Sequence, residues 1–201
     1  LVVNGAIGKI EHVDSKVMQG LLNCGTHAID GVRFVLGDPA TEWVMGAVER
    51  KSERFERDTP IEDGSMGLIQ LEDGIQINFQ SDLDPQKASP GHFIFRGDRG
   101  FIETTETWTR LWNEKTNGWE DQGLGIEKEK IDVIGGMSNA RQAKELVNWI
   151  EGGPEHRCSG RYARATVEIM MAILESARRN QVIRLPLMEK DYPLELMIEE
   201  G

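Results

Sequence analysis

Cysteine is scarce: Cys24 and Cys158 are the only two in 201 residues. Two thiols cannot build a disulfide framework, and their spacing matches no zinc motif, so no metal ligand is expected. Both are expected to be reduced, which makes cytoplasmic residence the expectation. Long apolar runs are lacking, none approaching the ~20 residues that span a bilayer, so no membrane partner is expected. Positive charge is in deficit, with 23 lysines and arginines against 34 acidic residues and a net charge of -11. Nucleic-acid binding needs a basic footprint, so no nucleic-acid partner is expected. The sequence has no P-loop, no Gly-x-Ser-x-Gly elbow and no His-Glu-x-x-His. Gly5-x-x-Gly8 and Gly123-Leu124-Gly125 do not link a strand to a helix, so neither is a dinucleotide fingerprint and no cofactor-binding residue is identified. An initiating Met is missing too. The strand-like Leu1-Val2-Val3 reads as the start of a fragment, and the place of any secretion signal lies upstream of it.

The composition is globular, 39% hydrophobic and 28% charged, and the chain is long enough to bury a core without staples. Gly5 to Gly8 reads as a turn leading into a strand over 9–17. Leu22, Gly25, Ile29, Val32 and Leu36 recur at steps of three and four, predicting a helix over 21–36 that Gly37-Asp38-Pro39 ends. Strands are then expected over 43–50, 67–71, 75–80, 92–96, 101–105 and 107–112. Asp73-Gly74 is a hairpin signal. The segments 51–65 and 116–136 have no period and read as loops. Two helices follow. One, capped by Ser138, turns Ala143, Leu146, Val147 and Ile150 inward. The other, capped by Ser159, buries Ala163, Val167, Met170 and Leu174. Residues 182–187 read as extended, followed by a tail. The expected architecture is α+β: an open, largely antiparallel sheet with helices packed on one face.

Four histidines, at 12, 27, 92 and 156, are scattered without ligand spacing. His12, His92 and His156 read as surface or hydrogen-bonded residues. His27 differs because Asn23 and Asp30 stand four residues before and three after it, giving a polar stripe beside the apolar one. Imidazole exchanges a proton near neutrality, and a neighbour one turn away can fix its tautomer. On spacing alone, the same stripe is equally the polar face that any surface helix requires. Arg161, ahead of the last long helix, is a candidate contact to a substrate hydroxyl or carboxylate, against a plain solvent-facing arginine. The five tryptophans read as core or interface more readily than as a sugar-stacking platform, with Trp43 and Trp149 best suited to the core.

The segment from Gly20 through Asn23, His27 and Asp30 to Gly37 resembles the signature helix of the Gfo/Idh/MocA oxidoreductases, relatives of glucose–fructose oxidoreductase and inositol dehydrogenase. Gly5-Ala6-Ile7-Gly8-Lys9-Ile10 is similar to that family's entry into its C-terminal domain. Phe95-Arg96-Gly97-Asp98-Arg99-Gly100-Phe101-Ile102 resembles its hairpin, and 159–178 with Leu185-Pro186-Leu187 its closing helix and strand. The resemblance implies that 1–201 is a single C-terminal substrate-binding and oligomerisation domain. The N-terminal Rossmann domain that binds NAD or NADP lies outside the chain. It implies a dehydrogenase acting on a sugar or polyol, with His27 as acid/base and Asn23 as its orienting or substrate-binding neighbour. A lysine from a Glu-Lys-Pro motif, which this chain lacks, would assist. It further implies a homodimer or homotetramer through the open sheet face, for which Ile94, Ile102 and Trp108 or Trp112 are the apolar candidates. One departure stands out: inositol-dehydrogenase-like members carry aspartate where this chain has Asn23, and an amide supplies no negative charge to imidazolium. The alternative is a non-catalytic ligand-binding or oligomerisation module that kept the fold.

Overall fold

The computed structural model describes residues 1–82, 91–105, 107–123 and 136–201, without the side chains of 136–138. Most of the expected loop 116–136 therefore lies outside the described residues, as does the Ser138 side chain.

Leu1-Val2-Val3 forms turns rather than a strand. Gly5 and Gly8, at φ 66° and 75°, lead from these turns toward the first strand, β1 (Ile10–Met18). The remaining long strands are β2 (Thr41–Glu49), β5 (Gly64–Leu71), β6 (Gln76–Asp82), β7 (His92–Gly97), β8 (Gly100–Thr105) and β9 (Thr109–Asn113). With the short β10 (Glu120–Asp121) and β11 (Ile183–Arg184) they form one nine-stranded sheet, ordered β10-β9-β8-β7-β1-β6-β5-β2-β11. Only β1 and β6 run parallel.

Side-chain alternation explains the two faces. In register across the sheet, Ile183, Val44, Ile69, Ile77, Val13, Phe95, Ile102 and Leu111 form one continuous row. All eight are buried, and the helices cover this face. Ile102 therefore belongs to the core, not to the open face where it was expected, because it pairs with Phe95 rather than Ile94. The opposite face carries Met45, Met66, Leu68 and Ile94 among Asp14, Asn78 and Glu103. Trp43 also lies there, half-buried, outside the core expected for it.

A π-helical turn (Gly20–Gly25) leads directly into α1 (Thr26–Leu36), so the predicted 21–36 helix consists of two segments. Gly37, at φ 84°, ends α1 by donating its N–H to the Phe34 carbonyl. The long helix α3 (Gly160–Arg179) crosses the sheet where glycines remove the side chains beneath it. A Cβ on Gly46 would stand 2.3 Å from the Ile173 carbonyl oxygen, and one on its register partner Gly67 2.8 Å from Ile173 Cδ1. This docking rotates the helix relative to the expected stripe. Thr166, Ile169, Met170 and Ile173 are buried, whereas Ala163 is exposed and Val167 is 45% exposed. Ser159 occupies the position before α3, but its hydroxyl donates to Glu155 instead of receiving a helix N–H.

Two further differences concern helices. α2 (Gly136–Ile150) contains Ser138 rather than starting after it. Its apolar side is uncovered: Leu146, Val147 and Trp149 are exposed and Ile150 is 76% exposed. The period of α2 is genuine, but among the described residues nothing packs on that side. The expected tail contains α4 (Pro193–Glu200), with Pro193 in the first turn, where its missing N–H costs nothing. Finally, the expected loop 51–65 holds a small hairpin, β3 (Phe55–Glu56) and β4 (Thr59–Pro60). No helix among the described residues is long and apolar enough to cross a membrane.

Candidate functional site

The helix 20–36 is fixed at both ends. At its start, the backbone bends through Gln19 and Gly20 at φ 70° and 84°. The first free N–H, on Leu21, donates to Glu62 Oε1 at 2.6 Å. A carboxylate at this place complements the positive end of the helix dipole. Glu62 is fully buried, and its Oε2 has no partner among the described residues. Burial pushes its carboxyl above the ordinary value, only partly offset by the Leu21 N–H. At its other end, Arg33 is buried and donates to the Tyr162 carbonyl and the Thr166 hydroxyl, at 3.0 and 2.8 Å, and pairs with Asp38 at 3.2 Å. Thr166 in turn donates to Asp30 Oδ1 at 3.0 Å. Asp30 thus supports the helix by tying α1 to α3.

His27 is exposed and Asn23 half-buried, both at the Gly20 end of this helix. Both therefore lie outside the buried core. Asn23 Nδ2 donates to Glu56 Oε1 at 3.2 Å, so a carboxylate from the β3–β4 hairpin reaches the stripe. Neither Glu56 nor Glu62 was read as a site residue, since both sit in a segment without period. The sole sequence signal is their acidity ahead of a strand.

Arg161 does not join this group. It lies beside Tyr162, which contacts Arg33 near the opposite end of α1, and its guanidinium pairs with Glu155 and the Tyr162 hydroxyl. The remaining histidines are satisfied, as expected. His12 bonds Asp14, His92 bonds Glu103, and His156 bonds the Gln142 carbonyl. No group of three or more potential metal ligands occurs among the described residues, and neither cysteine is in a disulfide.

On the sheet face away from the helices lies a cavity of about 470 Å³, lined by Asp14, Lys16, Met45, Met66, Asn78 and His92 among others. Burial pushes the Asp14 carboxyl up, but bonds from Asn78 and His12 outweigh it and hold the group below the ordinary range.

The open, largely antiparallel sheet, the cross-sheet core row and the glycine-seated α3 define an α+β domain with its helices on one face. The sequence matches the profile of the Gfo/Idh/MocA group, described as "Oxidoreductase family, C-terminal alpha/beta domain", over residues 3–185, and the chain belongs to that family. No curated protein sequence matches it. Among solved structures, levoglucosan dehydrogenase in complex with NADH and levoglucosan superimposes with a TM-score of 0.70 at 15% identity, over 93% of this chain and 62% of that one. The WlbA dehydrogenase from Bordetella pertussis, in complex with NADH and UDP-GlcNAcA, gives 0.68 at 16% identity over 92% and 59%. An oxidoreductase from Thermotoga maritima gives 0.69 at 18% identity over 92% and 56%. At such identities the likeness is one of fold. The chain spans 56–62% of the length of these three relatives.

Proposed function

We propose that the chain is the substrate-facing domain of a nicotinamide-dependent dehydrogenase acting on a CH–OH group of a sugar, polyol or related molecule. The observation that carries the reading is the placement of His27. It is solvent-facing on a helix whose two ends are fixed by buried polar groups, with Asn23 at its side. A rigid element presenting a free imidazole is what general acid–base chemistry requires. In oxidation His27 takes the hydroxyl proton; in reduction it returns one. Asn23 orients the ring or a substrate hydroxyl.

NAD or NADP accepts or supplies the hydride when bound. The residues described here do not fit that cofactor's phosphates. At the glycine turn between β1 and the helix, the Leu21 N–H that would meet an anion is already held by Glu62. In this reading the cofactor sits on an N-terminal Rossmann domain of the full-length protein, as the family resemblance implies, and the isolated chain is inactive. Arg161, committed to Glu155 at the other end of α1, is dropped from the substrate contacts. The open sheet face, with Met45, Met66 and Trp112 exposed, is the self-association surface of a homodimer or homotetramer.

The test is turnover by the intact protein. Purified enzyme is incubated with NAD or NADP and a panel of sugars and polyols, following reduced-nicotinamide absorbance. Cofactor reduction with at least one substrate class is expected. A folded protein that neither turns over nor quenches nucleotide fluorescence would instead be a non-catalytic module, a reading that Asn23 in place of aspartate favours.

A further inference from the structure

We propose that Glu56 is a positioning residue that turns Asn23 into a committed hydrogen-bond acceptor facing His27 or the substrate hydroxyl. The inference rests on the acid–base reading of His27 given above. An asparagine amide has an acceptor end and a donor end, and alone it can present either. A carboxylate only accepts, so the 3.2 Å contact from Asn23 to Glu56 must use the NH₂ end. The amide rotor is thereby fixed by the chemistry of its partner. Its oxygen, Oδ1, is directed away from Glu56 and accepts no hydrogen bond among the described residues. Asn23 with Glu56 then offers what an aspartate offers alone: an oriented acceptor, with a negative charge one group further back.

The hairpin that delivers Glu56 is held for the purpose. Its two turn residues, Arg57 and Asp58, have φ 50° and 62°, a conformation that glycine or asparagine adopts far more readily than arginine. Contacts on either side anchor the segment that carries this turn. Asp63 accepts from the N–H groups of Lys51 and Ser52 and from the Ser52 hydroxyl, and Tyr192 donates to the Pro60 carbonyl at 3.0 Å. Glu62, on the same segment, binds Leu21 at the start of the helix. One segment, 50–63, therefore sets both the axis of the helix and the orientation of its polar stripe.

The test uses the intact protein and three variants: Glu56→Gln, Asn23→Asp and the two combined. Glu56→Gln is uncharged and can either donate or accept, so the Asn23 amide is no longer fixed. It is expected to lower kcat about tenfold, the scale of one hydrogen bond, with KM nearly unchanged. Asn23→Asp alone sets two carboxylates against each other and is also expected to lose activity. The double variant restores an oriented, charged acceptor and is expected to return kcat to within about twofold of wild type. Wild-type kcat for Glu56→Gln, or no rescue by Asn23→Asp, overturns the proposal. A readout independent of turnover separates this from failure of the enzymatic reading. In NMR spectra the Asn23 side-chain amide protons should shift when Glu56 is replaced in Glu56→Gln. If they do not, the pairing is wrong. If they do and His27→Ala keeps full activity, the acid–base reading has failed and the proposal with it.

Discussion

At the residue scale, the least ordinary group is Glu62, a buried carboxyl with one oxygen on the Leu21 N–H and the other without a partner among the described residues. Burial raises its pKa, so the folded protein keeps the proton at pH values where the unfolded chain has lost it. The folded state then binds more protons, and stability falls as pH rises from the ordinary glutamate range through the raised value. Glu62→Gln keeps an acceptor for Leu21 and removes the titration. Denaturant midpoints measured across that range should show wild type losing ground to the variant as pH rises. Parallel curves would mean that Glu62 ionises freely. The spacing of Asn23, His27 and Asp30 was legible in the sequence because one helix carries all three. Glu56 and Glu62 were not, since their partners lie 33 and 41 positions away and no period marks the segment between. Only the folded chain reveals that the departure at Asn23 is accompanied by a carboxylate from elsewhere.

At the element scale, the contact between α3 and the sheet depends on absent side chains. Gly46→Ala would drive its Cβ against the Ile173 backbone carbonyl at 2.3 Å, and the helix must shift to relieve it. A loss of about 2–3 kcal/mol is expected from urea unfolding, in the range of overpacked cores. Gly67→Ala meets only the Ile173 side-chain end, which can rotate, and should cost less. An equal or reversed order would show that α3 is not seated on these glycines. Strands with strict alternation, such as Ile75 to Gln80, were readable because one face is buried and the other is not. Helix rotation was not, since a period reveals that a stripe exists but the partner surface decides which residues it contains. Val167 and the α2 residues Leu146 and Ile150 were misplaced for that reason. The β3–β4 hairpin was missed because its turn carries Arg57 and Asp58 where glycine or asparagine would have signalled it.

At the scale of the whole molecule, the sheet has one face closed by helices and one open, with Met66 55% and Trp112 41% exposed among charged groups. A symmetric pair through that face predicts that Met66→Glu or Trp112→Glu converts the oligomer to monomer in sedimentation equilibrium without loss of secondary structure. An unchanged oligomer would place the contact elsewhere. The central claim concerns a different surface, the helix that carries His27. Because His27 is exposed and makes no hydrogen bond among the described residues, its removal should leave the thermal midpoint of the protein unaltered. The deciding measurement is therefore kcat of His27→Ala in the intact enzyme, taken beside its melting curve. A fall of roughly 10²–10⁴-fold with an unshifted midpoint is the expected result for a general acid–base; an undiminished kcat in the same folded variant would contradict the account.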